Sequence, residues 1–202
     1  MNGSPNNTNQ GTREAILDAA DAFLRDHPFR ELTVSQIMVS TSVSRPAFYQ
    51  YFRDRYEVAS ALGERIQLVV QESVSLWLDG GGGKEPCAES LRRLARDIAP
   101  HGYVMKALSD AACFDERLEL IWRRGLADGT VARVAEMIKH EQETGLTPSH
   151  LDPSLTAHAL AATIEYLVKE RLGSPGVPDS VAEAVGQTWA AVWCSTLYPE
   201  RP

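Results

Sequence analysis

The polar side chains best suited to contact a nucleic acid lie close together, in residues 33–55. Tyr49, Gln50 and Tyr51 are consecutive, and their hydroxyls and amide can hydrogen-bond phosphate oxygens or base edges without adding charge. From residue 40 to residue 56, three arginines stand against a single acidic residue. This combination of uncharged hydrogen-bonding groups and a local excess of arginine favours a DNA-contacting surface.

Other patterns that could carry chemistry fail on their spacing. The four glycines before Lys84 are followed by Glu85, where a phosphate-binding loop needs Ser or Thr, so we interpret this run as a linker. His140 and Glu141 do not begin an H-E-x-x-H zinc motif, because residue 144 is Thr. The cysteines and histidines are scattered without ligand spacing. We therefore expect no enzyme, no metal site and no cofactor.

Composition indicates a cytoplasmic protein with a substantial core. The chain has 202 residues, 44% of them hydrophobic, and carries 20 basic and 27 acidic residues for a net charge of −7. That charge argues against a protein whose whole surface covers nucleic acid or an anionic membrane. Residues 1–56 hold six basic and six acidic residues, so the acidic excess lies in residues 57–202. Three isolated cysteines indicate a reducing compartment, and no stretch approaches the roughly 18 apolar residues of a membrane span.

Apolar periodicity and capping signals predict an all-α protein of about nine helices. Residues 1–11 are polar and predict a disordered tail, whereas apolar residues recur at helical spacing over residues 12–26. Further helical patterns cover residues 57–78, 87–99, 102–114, 115–144, 152–172 and 180–197, and a Gly-rich loop at residues 79–86 interrupts them. The cap signals are Asp54 with Glu57, Asp152 before Pro153, and Ser180 with Glu183.

Two short helices precede the long one. Thr33 and Gln36 form a predicted capping box for a helix that ends near residue 40, and Ser44 is a predicted N-cap for a helix that ends near residue 51. Two helices of about seven residues joined by a short turn have the right size to place the second helix in a major groove. Phe48 and Phe52 are four residues apart and are predicted to be core.

Residues 12–62 resemble the DNA-binding domain of the tetracycline-repressor (TetR) family of transcriptional regulators, above all in the run from residue 43 to residue 55, VSRPAFYQYFRDR. The resemblance implies a helix-turn-helix domain at residues 12–56 and a helical effector-binding and dimerisation domain at residues 57–202. It implies base contacts by Arg45, Pro46 and Ala47 beside Ser44, phosphate contacts by Tyr49, Gln50, Tyr51 and Arg55, and a backbone contact by the Thr33 hydroxyl. The family usually carries Ala and Gly around the turn, where this chain has Met38, Thr41 and Ser42, so Ser42 must adopt a conformation that glycine adopts more cheaply.

The C-terminal part resembles the same family in helix count and lengths, and near the C-terminus it has a general likeness to the EthR-like subgroup. Its last two helices are rich in small residues, which let helices approach closely, so we expect them to form a four-helix bundle between two protomers; an ordinary intramolecular core is the alternative. The small residues and their apolar neighbours are Leu155, Ala157, Ala159, Ala161, Ala162, Ala182, Ala184, Val185, Gly186, Ala190, Ala191 and Val192.

Large apolar side chains in this half are candidates for a ligand pocket, with ordinary core packing as the alternative. The candidates are Trp77, Leu94, Ile98, Met105, Phe114, Trp122, Thr163, Tyr166, Trp189 and Trp193. On the family resemblance, the expected protein is a homodimeric repressor that a small apolar or amphipathic ligand releases from a palindromic operator. A regulator with the same DNA-binding helices but no small-molecule effector is one alternative, and a helical enzyme is the other.

Overall fold

The computed structural model describes residues 5–123 and 128–200, and it confirms an all-α fold. The described residues form ten α-helices and no strand. The helices are α1 (Pro5–Leu24), α2 (Val34–Thr41), α3 (Arg45–Tyr51), α4 (Arg55–Leu78), α5 (Lys84–Ile98), α6 (Gly102–Ala112), α7 (Glu116–Trp122), α8 (Asp128–Glu143), α9 (Pro153–Leu167) and α10 (Asp179–Leu197). Short 3₁₀ turns occur at Phe29–Glu31 and Ala99–His101, and a π-helical turn at Val168–Leu172 continues α9. No described helix has the length and apolar character needed to cross a membrane.

Most of the predicted helix starts are confirmed by hydrogen bonds. The Thr33 hydroxyl accepts from the Gln36 amide at 3.2 Å while the Gln36 side chain accepts from the Thr33 amide at 2.8 Å, which is the expected capping box. Ser44 accepts from the Ala47 amide at 3.3 Å, and Asp152 accepts from the Leu155 amide at 2.7 Å. The Ser180 cap is wrong, because α10 begins one residue earlier with Pro178 in the cap position and no side-chain cap.

Three boundaries differ from the sequence-based expectation. Helix α1 begins at Pro5, so residues 5–11 are helical where a disordered tail was expected, and residues 1–4 lie outside the described part. Proline is accepted in the first turn, and extending a formed helix adds one hydrogen bond per residue. At residues 115–144, where a single helix was expected, the described residues form two helices, α7 and α8. Helix α5 begins inside the expected loop, at Lys84.

The first three helices pack on a small apolar core with the start of α4. Helix α1 contributes Ile16 and Leu17, each fully buried, and α2 contributes Ile37. Phe48 and Phe52 project from α3 into this core with 0% and 4% exposure, which confirms them as core residues. Because both aromatic rings point inward, the opposite face of α3 is presented to solvent.

The larger part of the molecule is built around α4, α5 and α10. The last helix lies against α5 at very short range: a Cβ added at Gly186 would meet the Arg92 Cα at 3.0 Å and the Ala95 Cβ at 3.1 Å. Ala182 and Ala190, each one turn from Gly186 along α10, are also buried. These small residues therefore serve the packing of one protomer, which leaves the other small residues of α9 and α10 to be explained separately.

A buried carboxylate joins the Gly-rich loop to the rest of this half. Glu141 is 0% exposed and accepts hydrogen bonds from the Gly83 amide at 2.7 Å, the Thr147 hydroxyl at 2.9 Å and the Tyr198 hydroxyl at 2.7 Å. The Trp77 indole N–H also points to it, at 3.3 Å. Since all four donors are neutral, the carboxylate is stabilised by hydrogen bonds rather than by an ion pair.

Candidate DNA interface and ligand cavity

The turn between α2 and α3 sets the angle at which α3 is presented. Ser42 closes α2 with φ 57° and ψ 18°, and it is the one non-glycine residue with positive φ among those described. A side chain in this left-handed region costs free energy that glycine would avoid. The strain predicted for Ser42 from the sequence is thus present in the fold. The turn that contains Ser42 places Ser44 where its hydroxyl caps α3.

The solvent-facing side of α3 carries the polar residues that the sequence singled out. Arg45, Pro46, Tyr49 and Gln50 are exposed. The Arg45 guanidinium donates to the Ser35 hydroxyl of α2 at 3.4 Å, so the two helices present these groups on a common surface. The remaining predicted contact residues are placed around this surface: Thr33 and Ser44 are exposed at the helix starts, and Ala47 and Tyr51 are half-buried.

Arg55 occupies a different environment from the other candidates. It is half-buried in the first turn of α4, where its guanidinium donates to the carbonyls of Arg30 and Leu32, each at 3.0 Å. The guanidinium also lies 5.1 Å from the centre of the Phe29 ring. A guanidinium has five N–H donors, so these bonds leave donors for a phosphate while they fix the group in position.

Two further exposed groups border the same surface and were not singled out from the sequence. Ser35, on α2, is exposed and bonded to Arg45. Arg53 is 89% exposed in its side chain and ion-paired with Glu57 at 2.8 Å. In the sequence, only their proximity to α3 could have indicated a role for Ser35 and Arg53. Serine and arginine at exposed helix ends are otherwise ordinary surface residues.

An apolar cavity of about 110 Å³ lies between the helices of the C-terminal half. Six of the ten predicted pocket residues line it: Trp77, Leu94, Ile98, Met105, Trp122 and Trp193. The remaining wall residues were not predicted, and they are Val70, Val74, Ser90, Leu91, Thr130, Val134, Ala161, Ile164 and Glu165. Most of them are aliphatic, and from the sequence alone they cannot be distinguished from core residues.

The other four predicted pocket residues lie elsewhere. Phe114 is 93% exposed, at the edge of an open cleft of about 590 Å³ between the first helices and α6 and α7. Tyr166 is 64% exposed on α9. Trp189 is fully buried, and its indole N–H donates to the carbonyl of Thr163, the fourth of these residues, at 3.4 Å. Trp189 and Thr163 therefore belong to the packing of α9 against α10. Aromatic character alone did not separate cavity walls from core or surface.

Helices α6 and α7 each connect the cavity to the N-terminal helices. On α7, Trp122 lines the cavity and Arg117 donates to Asp54, the cap of α4, at 2.8 Å. On α6, Met105 lines the cavity and the Tyr103 hydroxyl donates to Asp21 of α1. Both helices therefore contact the cavity on one side and the N-terminal helices on the other.

The contact between α4 and α7 is a compact charged cluster. The Tyr56 hydroxyl donates to Asp115 at 2.7 Å, and the Arg117 guanidinium lies 4.0 Å from the centre of the Tyr56 ring. The Tyr56 hydrogen bond lowers the pKa of Asp115 below its ordinary value. Burial raises the pKa of Asp54, but the Arg117 hydrogen bond and two backbone amides outweigh it, so the net pKa is also lowered. Both carboxylates are thus held ionised at neutral pH.

The fold and the two sites together define a class of protein. A short helix with an exposed polar face follows a tight turn after α2, and a larger helical part contains an apolar cavity. This is the architecture of a helix-turn-helix DNA-binding protein with a further helical part. Among the described residues no cluster of His, Cys, Asp or Glu could hold a metal ion.

Comparisons with known proteins identify the family within this class. Residues 16–62 match the family described as bacterial regulatory proteins, tetR family. The chain is 26% identical over 195 residues to the HTH-type transcriptional regulator EthR of Mycobacterium tuberculosis strain H37Rv, covering 93% of this chain and 87% of EthR. The family match covers residues 16–62, and together with the likeness to EthR it supports a DNA-binding transcriptional regulator of the TetR family.

Solved structures of the family share the fold over nearly the whole chain. SmeT in complex with triclosan is 20% identical with a TM-score of 0.71, covering 95% of this chain and 98% of that one. The fatty acid degradation regulator FadR from Bacillus halodurans is 17% identical with a TM-score of 0.70, covering 94% and 97%. At these sequence identities the comparison shows a shared fold alone.

Proposed function

We propose that the protein is a homodimeric, cytoplasmic repressor that a small apolar or amphipathic ligand releases from a palindromic operator. In this proposal residues 12–56 read DNA and residues 57–202 dimerise and bind the effector. The observation that carries the proposal is the solvent-facing surface of α3, which presents Arg45, Tyr49 and Gln50 opposite the buried Phe48. Exposed groups of these types can reach base edges and phosphates of a major groove.

The exposed face of α9 supports dimerisation. Leu155, Ala159, Ala162 and Tyr166 recur every three or four residues, so they lie on one side of the helix, and all four are exposed. On α10, Ala184, Thr188, Ala191, Val192 and Ser195 form a similar exposed side. Two helices with exposed, mostly small and apolar faces can pack against the same pair of a second protomer, which gives an isologous four-helix contact.

A dimer would present two α3 helices to successive major grooves, about 34 Å apart on the DNA. Ligand entry into the cavity would displace Trp122 and Met105, and through α7 and α6 it would shift α4 and α1. A ligand can change the spacing of the α3 helices only by binding one dimer conformation more tightly than the other. Such a shift would break the match to the operator.

Selection of preferred sites from a random DNA pool, repeated at two salt concentrations with the purified full-length protein, tests the DNA-reading part. We expect a palindrome with half-sites about one helical turn apart. A matched control carries Arg45→Ala and Gln50→Ala together, and it should select no palindrome while keeping the helical circular dichroism of the parent. If the parent selects nothing above background, the proposed repressor function is wrong for the ligand-free protein.

The second candidate function is a regulator that has the same DNA-binding helices but no small-molecule effector. Such a regulator is constitutive or is controlled by a protein. A fully packed C-terminal half would favour it. The cavity of about 110 Å³, with mostly apolar walls contributed by seven helices, favours the ligand-controlled form instead. A library of small apolar compounds that fails to weaken the operator complex would favour the second candidate.

A further inference from the structure

The cavity walls contain an uncommon feature, which is a pair of buried polar atoms without a partner. Among the described residues, two buried side-chain N or O atoms form no hydrogen bond: the indole nitrogen of Trp193 and the hydroxyl of Thr130. Both residues line the cavity, and Trp193 is 3% exposed. Buried polar groups are almost always hydrogen-bonded, because a buried donor or acceptor without a partner destabilises the folded state.

The chemistry of these two groups restricts what can satisfy them. An indole N–H is a donor only, so its partner must be an acceptor. The Thr130 hydroxyl can donate to the same acceptor or to a second one. The other indole on this wall, that of Trp77, already donates to Tyr198 at 3.0 Å and is therefore satisfied. The cavity therefore lacks a hydrogen-bond acceptor for the Trp193 indole N–H and the Thr130 hydroxyl.

The charges around the cavity restrict the ligand further. The described lining includes no Lys, Arg or His, and its single charged residue is Glu165, which accepts from Ser109 at 3.1 Å. A carboxylate or phosphate in this cavity would be buried without a cation and would face a like charge, which is strongly unfavourable. The volume is comparable with the roughly 150 Å³ apolar cavity that accepts benzene, so the buried part of the ligand must be compact.

We propose that this cavity binds a small uncharged molecule, apolar except for a carbonyl or ether-type oxygen that accepts hydrogen bonds from Trp193 and Thr130. The inference deepens the proposed function, since it rests on that function for the role of the ligand as effector. The ligand oxygen supplies the missing acceptor, and the aliphatic and aromatic walls bury the rest of the molecule.

The test compares two probes that differ in one group. Cyclopentanone and methylenecyclopentane have the same ring and six heavy atoms each, but the ketone oxygen is replaced by a CH₂ group. Ligand-observed NMR titration of the full-length protein gives a Kd for each probe, and the ratio of the two Kd values removes differences in cavity shape. Comparison of this ratio between variants also removes the difference in hydration of the two probes.

Three variants isolate the donors. Trp193→Phe removes the indole N–H and keeps an aromatic ring, and Thr130→Val removes the hydroxyl at nearly constant volume. Trp189→Phe is the matched control, because Trp189 is buried on the same helix but does not line the cavity. We expect the preference for the ketone to fall roughly three- to tenfold in Trp193→Phe, to fall less in Thr130→Val, and to stay unchanged in Trp189→Phe.

Each outcome decides the proposal. A ratio that is unchanged in both Trp193→Phe and Thr130→Val, or that falls equally in Trp189→Phe, overturns it. Cyclopropanecarboxylate, also with six heavy atoms, should bind at least tenfold more weakly than cyclopentanone, and equal binding overturns the exclusion of anions. Absence of binding by either neutral probe also overturns it. The probe titrations are carried out without DNA, so they do not depend on the repressor function. Failure of the repressor function would appear only in the selection of DNA sites from the random pool.

Discussion

At the scale of single residues, the conformation of Ser42 is the clearest case of strain in the described chain. Its positive φ is required by the turn between α2 and α3, and a serine there raises the free energy of the folded state relative to glycine. This residue could be predicted because the family that the sequence resembles usually carries Ala and Gly around this turn. The consequence is that the fold tolerates a local cost beside the residues proposed to face DNA.

Ser42→Gly should therefore stabilise the protein, by about 0.5–1 kcal/mol, after allowance for the greater freedom of glycine in the unfolded chain. Thermal unfolding followed by circular dichroism measures the change. Ser40→Gly is the matched control, because Ser40 is exposed within α2 and glycine weakens a helix interior. A lower melting temperature for both variants would show that the turn is not strained.

Arg55 is predicted to serve both the fold and the DNA contact. Arg55→Ala should lower the free energy of unfolding by about 1–2 kcal/mol, because the carbonyls of Arg30 and Leu32 lose a charged donor. The same variant, assayed where it is fully folded, should bind all DNA more weakly and reduce the salt slope by roughly one unit. Arg93→Ala on α5 controls for the loss of one positive charge. An unchanged salt slope would restrict Arg55 to a structural role.

Arg45 is predicted to contact base edges and Gln50 to contact phosphates, and alanine variants of both residues test these roles. Replacement of either by Ala should cost about 1–3 kcal/mol of binding to the selected operator if the side chain makes a bidentate base contact. Fluorescence anisotropy with operator and scrambled DNA measures the discrimination. Equal losses on both DNAs would assign the residue to the phosphate backbone.

At the scale of elements, the joint between α4 and α7 holds the long helix against the C-terminal half. Asp115 accepts from Tyr56 and also caps α7 through the amides of Arg117 and Leu118. Asp54 was predicted from the sequence as a helix cap, but its bond to Arg117, 63 residues away, could not be predicted. Local signals specify caps, whereas contacts between distant helices depend on packing angles that no local pattern encodes.

The lowered pKa of Asp115 makes this joint sensitive to acid. Its pKa is lower in the folded than in the unfolded chain, so its stabilising effect is present above the unfolded pKa near 4 and is lost as the pH falls through the folded pKa. Asp115→Asn should be less stable than the parent at pH 7, by about 1 kcal/mol for a partly exposed group, and closer to it at pH 3. Urea unfolding at both pH values measures this. The exposed Asp26→Asn is the control, and parallel losses in the two variants would argue against the joint.

At the scale of the whole molecule, the sequence was sufficient for the helical class and for the short helices α2 and α3 but not for the cavity. Short helices with strong caps, such as α2 and α3, follow from local residue choice. Six cavity residues were found because large side chains are frequent there, yet Trp189 and Trp193 are one turn apart and only Trp193 reaches the cavity. Which side of α10 faces the cavity is determined by its close approach to α5 at Gly186, a tertiary property.

The proposed dimer is testable at this scale. Ala162→Glu places a carboxylate in the middle of the exposed α9 face, so the dimer should dissociate to monomers at micromolar concentration while the helical content is retained. Sedimentation equilibrium measures the assembly. Ala132→Glu on α8 is the matched control, since Ala132 is also exposed but lies outside that face. Dimers that persist in Ala162→Glu would place the interface elsewhere.

The distribution of tryptophan gives the protein a built-in optical reporter. The chain has four tryptophans, and Trp77, Trp122 and Trp193 surround the cavity while Trp189 does not. Indole emission depends on the polarity and contacts of the ring, so occupancy of the cavity would change most of the intrinsic fluorescence at once. A dye or label is therefore unnecessary to follow occupancy of the cavity.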